Sequence, residues 1–351
     1  MIARLYSLDY LRGLAAFGIM IYHYLFWIQG AFTSDSFMGR VGVYGVAIFY
    51  VLSGLTLYHV YEYSTSKETF SIGSFIRKRI YRIFPLLWLV TIIAILISRK
   101  APNLVDVFLN LTGLFGFIRW DVYFSTGAWS IGNELVFYSI FPFILFACMK
   151  RPVFLAAIIA AAFGLHHYFA YYVLHPSLPL SEQWRDYVNP LNQIFFFVAG
   201  IAIGHFTKAR LFPFWCGLSI ILIGFLLFTF IPAEGNTATL ITEDKRWMFT
   251  LASLLICLGA YKMTGKLPSI LHGAFKLLGE ASYSVYLLHP LVFAIWAFAF
   301  HRAEARGIEI WNVWKLVVPI AATLLLSYYV YFRYERYFIK KGHQSSPGSP
   351  S

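Results

Sequence analysis

The first membrane-length apolar stretch, LDYLRGLAAFGIMIYHY at residues 8–24, contains three ionisable residues, Asp9, Arg12 and His23. Ionisable groups inside a membrane segment are costly, so by default they indicate a functional site. In a helix, Arg12 and His23 lie on one face, roughly 16 Å apart along the axis. That face presents a guanidinium near one membrane surface and an imidazole near the other. Asp9, three residues before Arg12, is expected to pair with it.

A second basic site occurs in the segment FIRKRIYRIFP, where Arg79 and Arg82 are three positions apart. This spacing places both guanidinium groups on one face of a predicted helix, at its cytoplasmic end. Guanidinium groups suit phosphate because they can bond it bidentately. Together with Arg12 at a similar depth, the two arginines predict a site for an anionic ligand. The alternative is that they only anchor the end of the helix.

A carboxylate and a further histidine complete the candidate set. In the segment TGAWSIGNELVFY, Trp129 is expected at the outer membrane surface and Glu134 about four residues below it. Counting 1.5 Å per residue puts Glu134 at nearly the same depth as His23, so the two are predicted to pair. His289, followed by Pro290, is placed toward the inner surface. Interfacial charge is the alternative for Glu134, and ordinary packing is the alternative for His289.

Sorted by predicted depth, the polar residues form an inner and an outer group. The inner group contains Arg12, Arg79, Arg82 and His289, and the outer group contains His23 and Glu134. Cations near the cytoplasm suit a polyanion such as a nucleotide cofactor. An imidazole beside a carboxylate suits proton abstraction from a hydroxyl group. The residues alone therefore suggest group transfer from a cytoplasmic donor to an acceptor reached from the outer side.

The elements that must position these residues are predicted to be membrane helices. The chain of 351 residues is 59% hydrophobic and 13% charged, well below the charged fraction of soluble proteins. Apolar runs of spanning length recur from end to end, which indicates an all-α polytopic membrane protein. About ten spans are predicted, at 8–29, 41–62, 80–98, 131–149, 152–173, 190–206, 212–231, 247–263, 283–301 and 313–333. Residues 103–118 are expected to form an interfacial or re-entrant helix.

The basic residues set the predicted orientation. They concentrate in the loops on the side of the N-terminus, so the positive-inside rule places both termini in the cytoplasm. The net charge of +12 is then a topology signal and requires no nucleic-acid partner. The predicted organisation is a membrane domain at 1–339 and a disordered tail at 340–351. Small residues in the second span, Gly39, Gly42 and Gly45 followed by Ser53-Gly54, predict close helix packing.

Five segments in order make the chain resemble the acyltransferase 3 family, membrane O-acyltransferases that modify cell-surface glycans and some small molecules. The segments are LDYLRGLAAFGIMIYH, GVYGVAIFYVLSGLTL, FIRKRIYRIFP, WSIGNELVFY and SYSVYLLHPL. The resemblance extends from about Leu8 to Tyr334. It implies acyl-coenzyme A, usually acetyl-CoA, as the donor. Some relatives carry a C-terminal esterase-like domain, and this chain is expected to be the form without it.

The resemblance also implies roles for particular residues. The essential Arg–His helix corresponds to Arg12 and His23, and the paired arginines correspond to Arg79 and Arg82. Glu134 matches the glutamate of the family's Trp-Ser-Leu-x-x-Glu stretch, although isoleucine replaces the leucine here.

The predicted enzyme is an O-acyltransferase of the inner (cytoplasmic) membrane. Acyl-CoA phosphates bind Arg12, Arg79 and Arg82, and His23, oriented by Glu134, deprotonates a glycan hydroxyl. In a variant of this scheme His23 itself carries the acyl group. Asp9, Trp129 and His289 are predicted to support the site, and no metal is expected.

The acceptor is expected to be a glycan or glycolipid such as O-antigen or exopolysaccharide. Glycan-assembly proteins are possible partners. A transporter or flippase would also bury charges along a path through its helices, and a structural subunit would fit the composition. These two alternatives account less well for the ordered segments.

Overall fold

In the computed structural model, residues 5–66, 70–208, 212–263 and 267–344 are described, and helices are their dominant structure. The first eight helices are α1 (Tyr6–Gln29), α2 (Phe37–Ser66), α3 (Ile72–Ser98), α4 (Leu104–Thr112), α5 (Phe115–Ile118), α6 (Ala128–Lys150), α7 (Pro152–Tyr168) and α8 (Trp184–Tyr187). The others are α9 (Pro190–Thr207), α10 (Phe214–Phe230), α11 (Glu243–Lys262), α12 (Ser269–Glu280), α13 (Ser282–Glu304), α14 (Asn312–Val330) and α15 (Arg336–His343).

Eight helical segments in the described ranges are long and apolar enough to cross a membrane. They are Tyr6–Gln29, Phe37–Glu62, Ile72–Ser98, Ala128–Ala147, Val153–Val173, Trp184–Thr207, Ser282–Glu304 and Asn312–His343. The chain is therefore an all-α polytopic membrane protein, as predicted. The predicted spans at 212–231 and 247–263 also form helices, α10 and α11, which pack against each other. Helix α10 has only 17 residues, and α11 opens with four charged residues, which lowers its apolarity.

The segment expected to be interfacial or re-entrant forms two helices that are too short to cross a bilayer. Helices α4 and α5 have nine and four residues, and Gly113 separates them with a left-handed φ of 77°. A methyl group on Gly116 would overlap the backbone of Gly132, so α5 lies directly against the start of α6. The indole of Trp88 donates to the carbonyl of Leu111 at 2.7 Å, which ties α4 to α3.

Glycines bring the central helices together. A methyl group on Gly54 would overlap the carbonyl oxygen of Phe197, and one on Gly200 would overlap that of Val51, so α2 and α9 touch along their backbones. Gly42 packs in the same way against the ring of Tyr22 on α1. The close packing predicted for the small residues of the second span is therefore confirmed, and it fixes α1 against the centre of the bundle.

The C-terminal end of the chain returns to the start of α3. Helix α14 continues through a π-helical turn at Tyr331–Glu335 into α15. Gly342 is buried against Tyr81, where an added methyl group would lie 2.9 Å from the Tyr81 Cβ. Because this packing holds α15 helical to His343, the segment predicted to be disordered from residue 340 begins inside a helix. Residues 345–351 lie outside the described residues.

The contact between α2 and α9 predicts that glycine-to-alanine substitutions at two positions change the melting temperature differently. Gly200→Ala should lower the melting temperature in detergent, because overpacking a close contact costs about 1–3 kcal/mol. Gly164→Ala on α7 is the matched control, since an added methyl group there meets open space. We expect it to be neutral or slightly stabilising, because alanine is the better helix former. Equal melting temperatures for the two variants would contradict the close approach.

Candidate active site

A polar cavity of about 300 Å³ lies among helices α1, α2, α3, α6 and α13, and the C-terminal segment closes one side of it. The charged or titratable side chains that line it are Asp9, Arg12, Tyr50, Lys78, Arg79, Arg82, Glu134, Tyr138, Glu280, Tyr283, Tyr286, Tyr331 and His343, and further hydroxyl groups come from Ser53, Thr56, Ser130 and Ser282. It brings together Arg12, Arg79 and Arg82, the three arginines that the sequence places at similar depth. The cavity is wide enough for a ligand and rich in cations at one end.

Arg12 is held by neighbours on two helices. Its Nη1 atom lies 3.5 Å from Oδ1 of Asp9, so the predicted pairing with Asp9 is confirmed, and its Nη2 atom donates to Oγ1 of Thr56 at 3.2 Å. The backbone of Asp9 in turn touches Gly279, where any side chain would overlap it. Arg12 is therefore fixed from one side while it faces the cavity.

The two arginines of α3 differ in their surroundings. Arg79 lies over the ring of Tyr138, 5.7 Å from its centre, and its Nε atom is buried with no hydrogen-bond partner among the described residues. The electrostatic neighbours of Arg82 include the carboxylates of Glu335 and Glu134. Arg82 therefore has two carboxylates as neighbours, whereas Arg79 packs on an aromatic ring.

Glu134 lies among the arginines, and its predicted pairing with His23 is wrong. Its electrostatic neighbours are Tyr138 and the charges of Arg82, Arg12 and Arg79, and it lines the same cavity as they do. His23 does not line this cavity. The carboxylate predicted for the outer group therefore belongs to the inner group.

The depth of α6 explains this correction. The Ser130 hydroxyl, in the first turn of α6, lies 2.9 Å from the hydroxyl of Tyr286 on α13. The first residues of α6, Ala128 to Ser130, are buried, so this helix begins inside the bundle, beside α5, whereas the prediction started it at the membrane surface. Helices α6 and α13 run in opposite directions from the contact between Ser130 and Tyr286. Glu134 is four residues further along α6 and His289 is three residues further along α13, so the two side chains differ in depth by about 10 Å.

His23 instead pairs with another histidine. Its Nδ1 atom lies 2.9 Å from Nε2 of His289, and the two rings are nearly parallel, with centroids 5.0 Å apart. His289 is fully buried, and the hydroxyl of Tyr24 donates to its carbonyl at 3.0 Å. The predicted placement of His289 with the inner arginines is therefore also wrong, since it lies at the depth of His23.

The register of α1 against α12 and α13 accounts for the histidine pair. Gly13 and Gly279 are in backbone contact, and a methyl group on Gly13 would lie 2.7 Å from the nitrogen of Gly279. From this contact His23 is ten residues further along the chain (13 to 23), and so is His289 (279 to 289). Equal advances of about 15 Å along two parallel helices bring the rings together.

Hydrogen bonds around the pair assign its tautomers. The Nδ1 atom of His289 lies 3.2 Å from the carbonyl of Val285, which can only accept, so this nitrogen carries a hydrogen. In a neutral ring Nε2 of His289 then accepts from Nδ1 of His23. Nε2 of His23 is left with a lone pair, and it has no hydrogen-bond partner within the described part of the chain. This arrangement makes Nε2 of His23 available as a base.

Aromatic rings surround the pair and connect it to the cavity. The indole of Trp27 stacks on His23, with centroids 5.2 Å apart and planes 12° apart, and it also lies beside His289. The ring of Tyr286, which lines the cavity, has its centroid 6.0 Å from that of His289. Tyr286 therefore lies between the cavity and the histidine pair.

Two further outcomes concern individual residues. Trp129 packs against Trp184 and Tyr187 and lies outside the cavity lining, so it can support the site only through the start of α6.

Tyr138 and Tyr286 belong to the site but were not predicted. Each is one helical turn from a predicted residue, Tyr138 from Glu134 and Tyr286 from His289, and this spacing could have indicated them.

Comparison with known proteins identifies the family of the chain. A family described as an acyltransferase domain matches residues 5–332. The acyltransferase MdmB of Streptomyces mycarofaciens is 26% identical over 83% of this chain and 79% of that protein. The exopolysaccharide production protein ExoZ of Rhizobium meliloti (strain 1021) is 25% identical over 73% of this chain and 78% of its own length. No solved structure gives a significant match.

The position of Glu134 can be tested with two double-mutant cycles of thermal unfolding. Glu134→Gln and Arg82→Gln should be coupled by at least about 0.5 kcal/mol, because the charges are neighbours. Glu134→Gln and His23→Gln should be additive within about 0.5 kcal/mol, because the side chains are about 10 Å apart in depth. Coupling in the second cycle but not in the first would restore the pairing of Glu134 with His23.

Proposed function

The chain belongs to the acyltransferase family that matches it, and we propose that it transfers an acyl group from cytoplasmic acyl-coenzyme A to a hydroxyl group of an extracytoplasmic glycan. The observation that carries this proposal is the closeness of the arginines and the histidine pair. Arg12, Arg79 and Arg82 line one cavity with Tyr286, whose ring lies beside that of His289, with centroids 6.0 Å apart. A phosphate-bearing donor and a base are the two requirements of such a transfer.

The donor is proposed to enter from the cytoplasmic side. Its phosphates lie against the arginines, where guanidinium groups bond them bidentately, and its pantetheine arm extends toward Tyr286. Glu134, placed among the same arginines, is proposed to balance their charge while the donor is absent, because unpaired charges inside a membrane protein are costly. Most acyltransferases of this family use acetyl-CoA, so acetyl is the proposed acyl group.

The histidine pair is proposed to carry out the proton transfer. As the acceptor oxygen attacks the thioester carbonyl, Nε2 of His23 takes the hydroxyl proton. The intermediate collapses, the carbon–sulfur bond breaks, and the departing thiolate of coenzyme A receives the proton from the His23 imidazolium. His289 holds the ring of His23 in the required tautomer, the part that a carboxylate plays in many hydrolases.

The acceptor is proposed to be a surface polysaccharide. The relative from Rhizobium meliloti is named as an exopolysaccharide production protein, which supports this class of acceptor. The predicted orientation places the His23 end of α1 toward the outer side. A donor pool in the cytoplasm and an acceptor outside together favour the cytoplasmic (inner) membrane as the location.

The central test is acetyl transfer by the purified protein from labelled acetyl-CoA. His23→Gln should reduce transfer by at least about a hundred-fold, because it removes the base. His289→Gln should reduce it less, since it disturbs only the orientation of His23. His301→Gln, on an exposed part of α13, is the matched control and should retain full transfer. Normal transfer by His23→Gln would show that the catalytic assignment is wrong.

The acceptor can be identified by mass spectrometry of surface glycans from cells with and without the gene. Loss of the protein should lower glycan mass by about 42 Da for each missing acetyl group, and His23→Gln should reproduce this loss. Unchanged surface glycans would contradict the proposed acceptor while leaving the acyltransferase activity in place.

A further inference from the structure

The cytoplasmic mouth of the cavity is built by two segments that are far apart in the sequence. Lys78 and Arg79 come from α3, and Ile339 and His343 come from α15 at the end of the described chain. Gly342 brings the two helices together, since a methyl group there would lie 3.5 Å from the Cα of Lys78. The C-terminal helix therefore forms one wall of the proposed donor site.

Basic side chains lie close together at this mouth, and one carboxylate, Glu280, also lines the cavity. The electrostatic neighbours of Lys78 are Arg79 and Arg77, and those of His343 are Lys78, Arg79 and Arg82. None of the groups acting on either side chain in the described part of the protein is a carboxylate. Deeper in the cavity the arrangement differs, because Arg12 has Asp9 beside it and Arg82 has Glu335 and Glu134.

Like charges held together destabilise a structure unless an anion lies between them. The hydroxyl of Tyr283 on α13 donates to the carbonyl of Ile83 on α3, and counting along the two helices from this contact places Lys78 and Tyr286 about 12 Å apart in depth. If the thioester lies near the histidines, the group at the mouth is the part of acyl-CoA most distant from the thioester. That part is the nucleotide, which carries a separate phosphate on its ribose.

We propose that Lys78 and His343, together with Arg79, form a subsite for the ribose 3′-phosphate of acyl-CoA. This inference rests on the proposed function and adds a specificity to it. The enzyme then distinguishes acyl-CoA from acyl donors that share the pantetheine arm but lack the 3′-phosphate. His343 contributes to this selection from the C-terminal helix, so the donor site is complete only when α15 is packed on α3.

The test compares acetyl-CoA with acetyl-3′-dephospho-CoA, which has the same thioester, arm and pyrophosphate. The unaltered enzyme should have a lower KM for acetyl-CoA. Lys78→Ala and His343→Ala should each raise the KM for acetyl-CoA about ten-fold, as expected for loss of a charge-assisted phosphate contact. Neither should change the KM for the dephospho donor more than about two-fold, or change kcat for either donor.

Two further variants control for changes in folding and in overall charge. His343→Lys places a permanent cation at the mouth and should preserve the preference for acetyl-CoA. Lys340→Ala removes an exposed charge from the same helix, outside the cavity lining, and should leave both KM values unchanged. Melting temperatures of all variants show whether α15 stays packed.

The inference is overturned if the unaltered enzyme does not distinguish the two donors, or if the Lys78 and His343 variants raise both KM values equally. These outcomes are separate from a failure of the proposed function. If neither coenzyme A thioester supports transfer, the proposed donor is wrong. If both do so equally well, only the 3′-phosphate subsite is wrong.

Discussion

The backbone contact between Gly13 and Gly279 determines how the site is assembled. It sets the register of α1 against α12 and α13. The two proposed catalytic histidines, His23 and His289, each lie ten residues after one of these glycines. The same contact places Asp9 and Arg12 at the edge of the cavity, because they are the residues just before it on α1. A side chain at either glycine would separate the helices and shift the histidines relative to the arginines. Small residues often set such close approaches between membrane helices.

The charged side chains and the histidine pair occupy different parts of the bundle. All of the arginines proposed to bind the donor share a cavity with Glu134, so the charged groups that are costly in a membrane are close to one another. The histidine pair has aromatic neighbours, Trp27 and Tyr24 on α1 and Tyr286 on α13. Two neutral imidazoles can satisfy each other by one hydrogen bond without a buried charge.

The charged groups are also distributed unevenly along the cavity. Cations are most concentrated where α3 and α15 meet, and the carboxylates appear deeper, beside Arg12 and Arg82. An anionic ligand that enters at the α3–α15 end is attracted first by unbalanced positive charge and then meets a nearly balanced region. Beyond that region lie Ser130, Tyr286 and the histidines. Positive charge and polarity therefore both decrease along the cavity, from the α3–α15 end toward the histidines.

Composition and local patterns predicted the class of the fold, the approximate spans and the residue types of the site. Hydrophobic runs reveal spans because only helices satisfy their backbone inside a membrane, and Arg12, Arg79 and Arg82 stood out as costly charges. The pairing of Asp9 with Arg12 was also predictable, because both lie on one helix turn.

The depth of a residue in the membrane could be counted only from assumed helix ends. That α6 begins inside the bundle, beside α5, and that Gly13 meets Gly279 follow from long-range packing. Those two long-range contacts moved Glu134 to the arginines and His289 to His23, and no local pattern in the sequence encodes them.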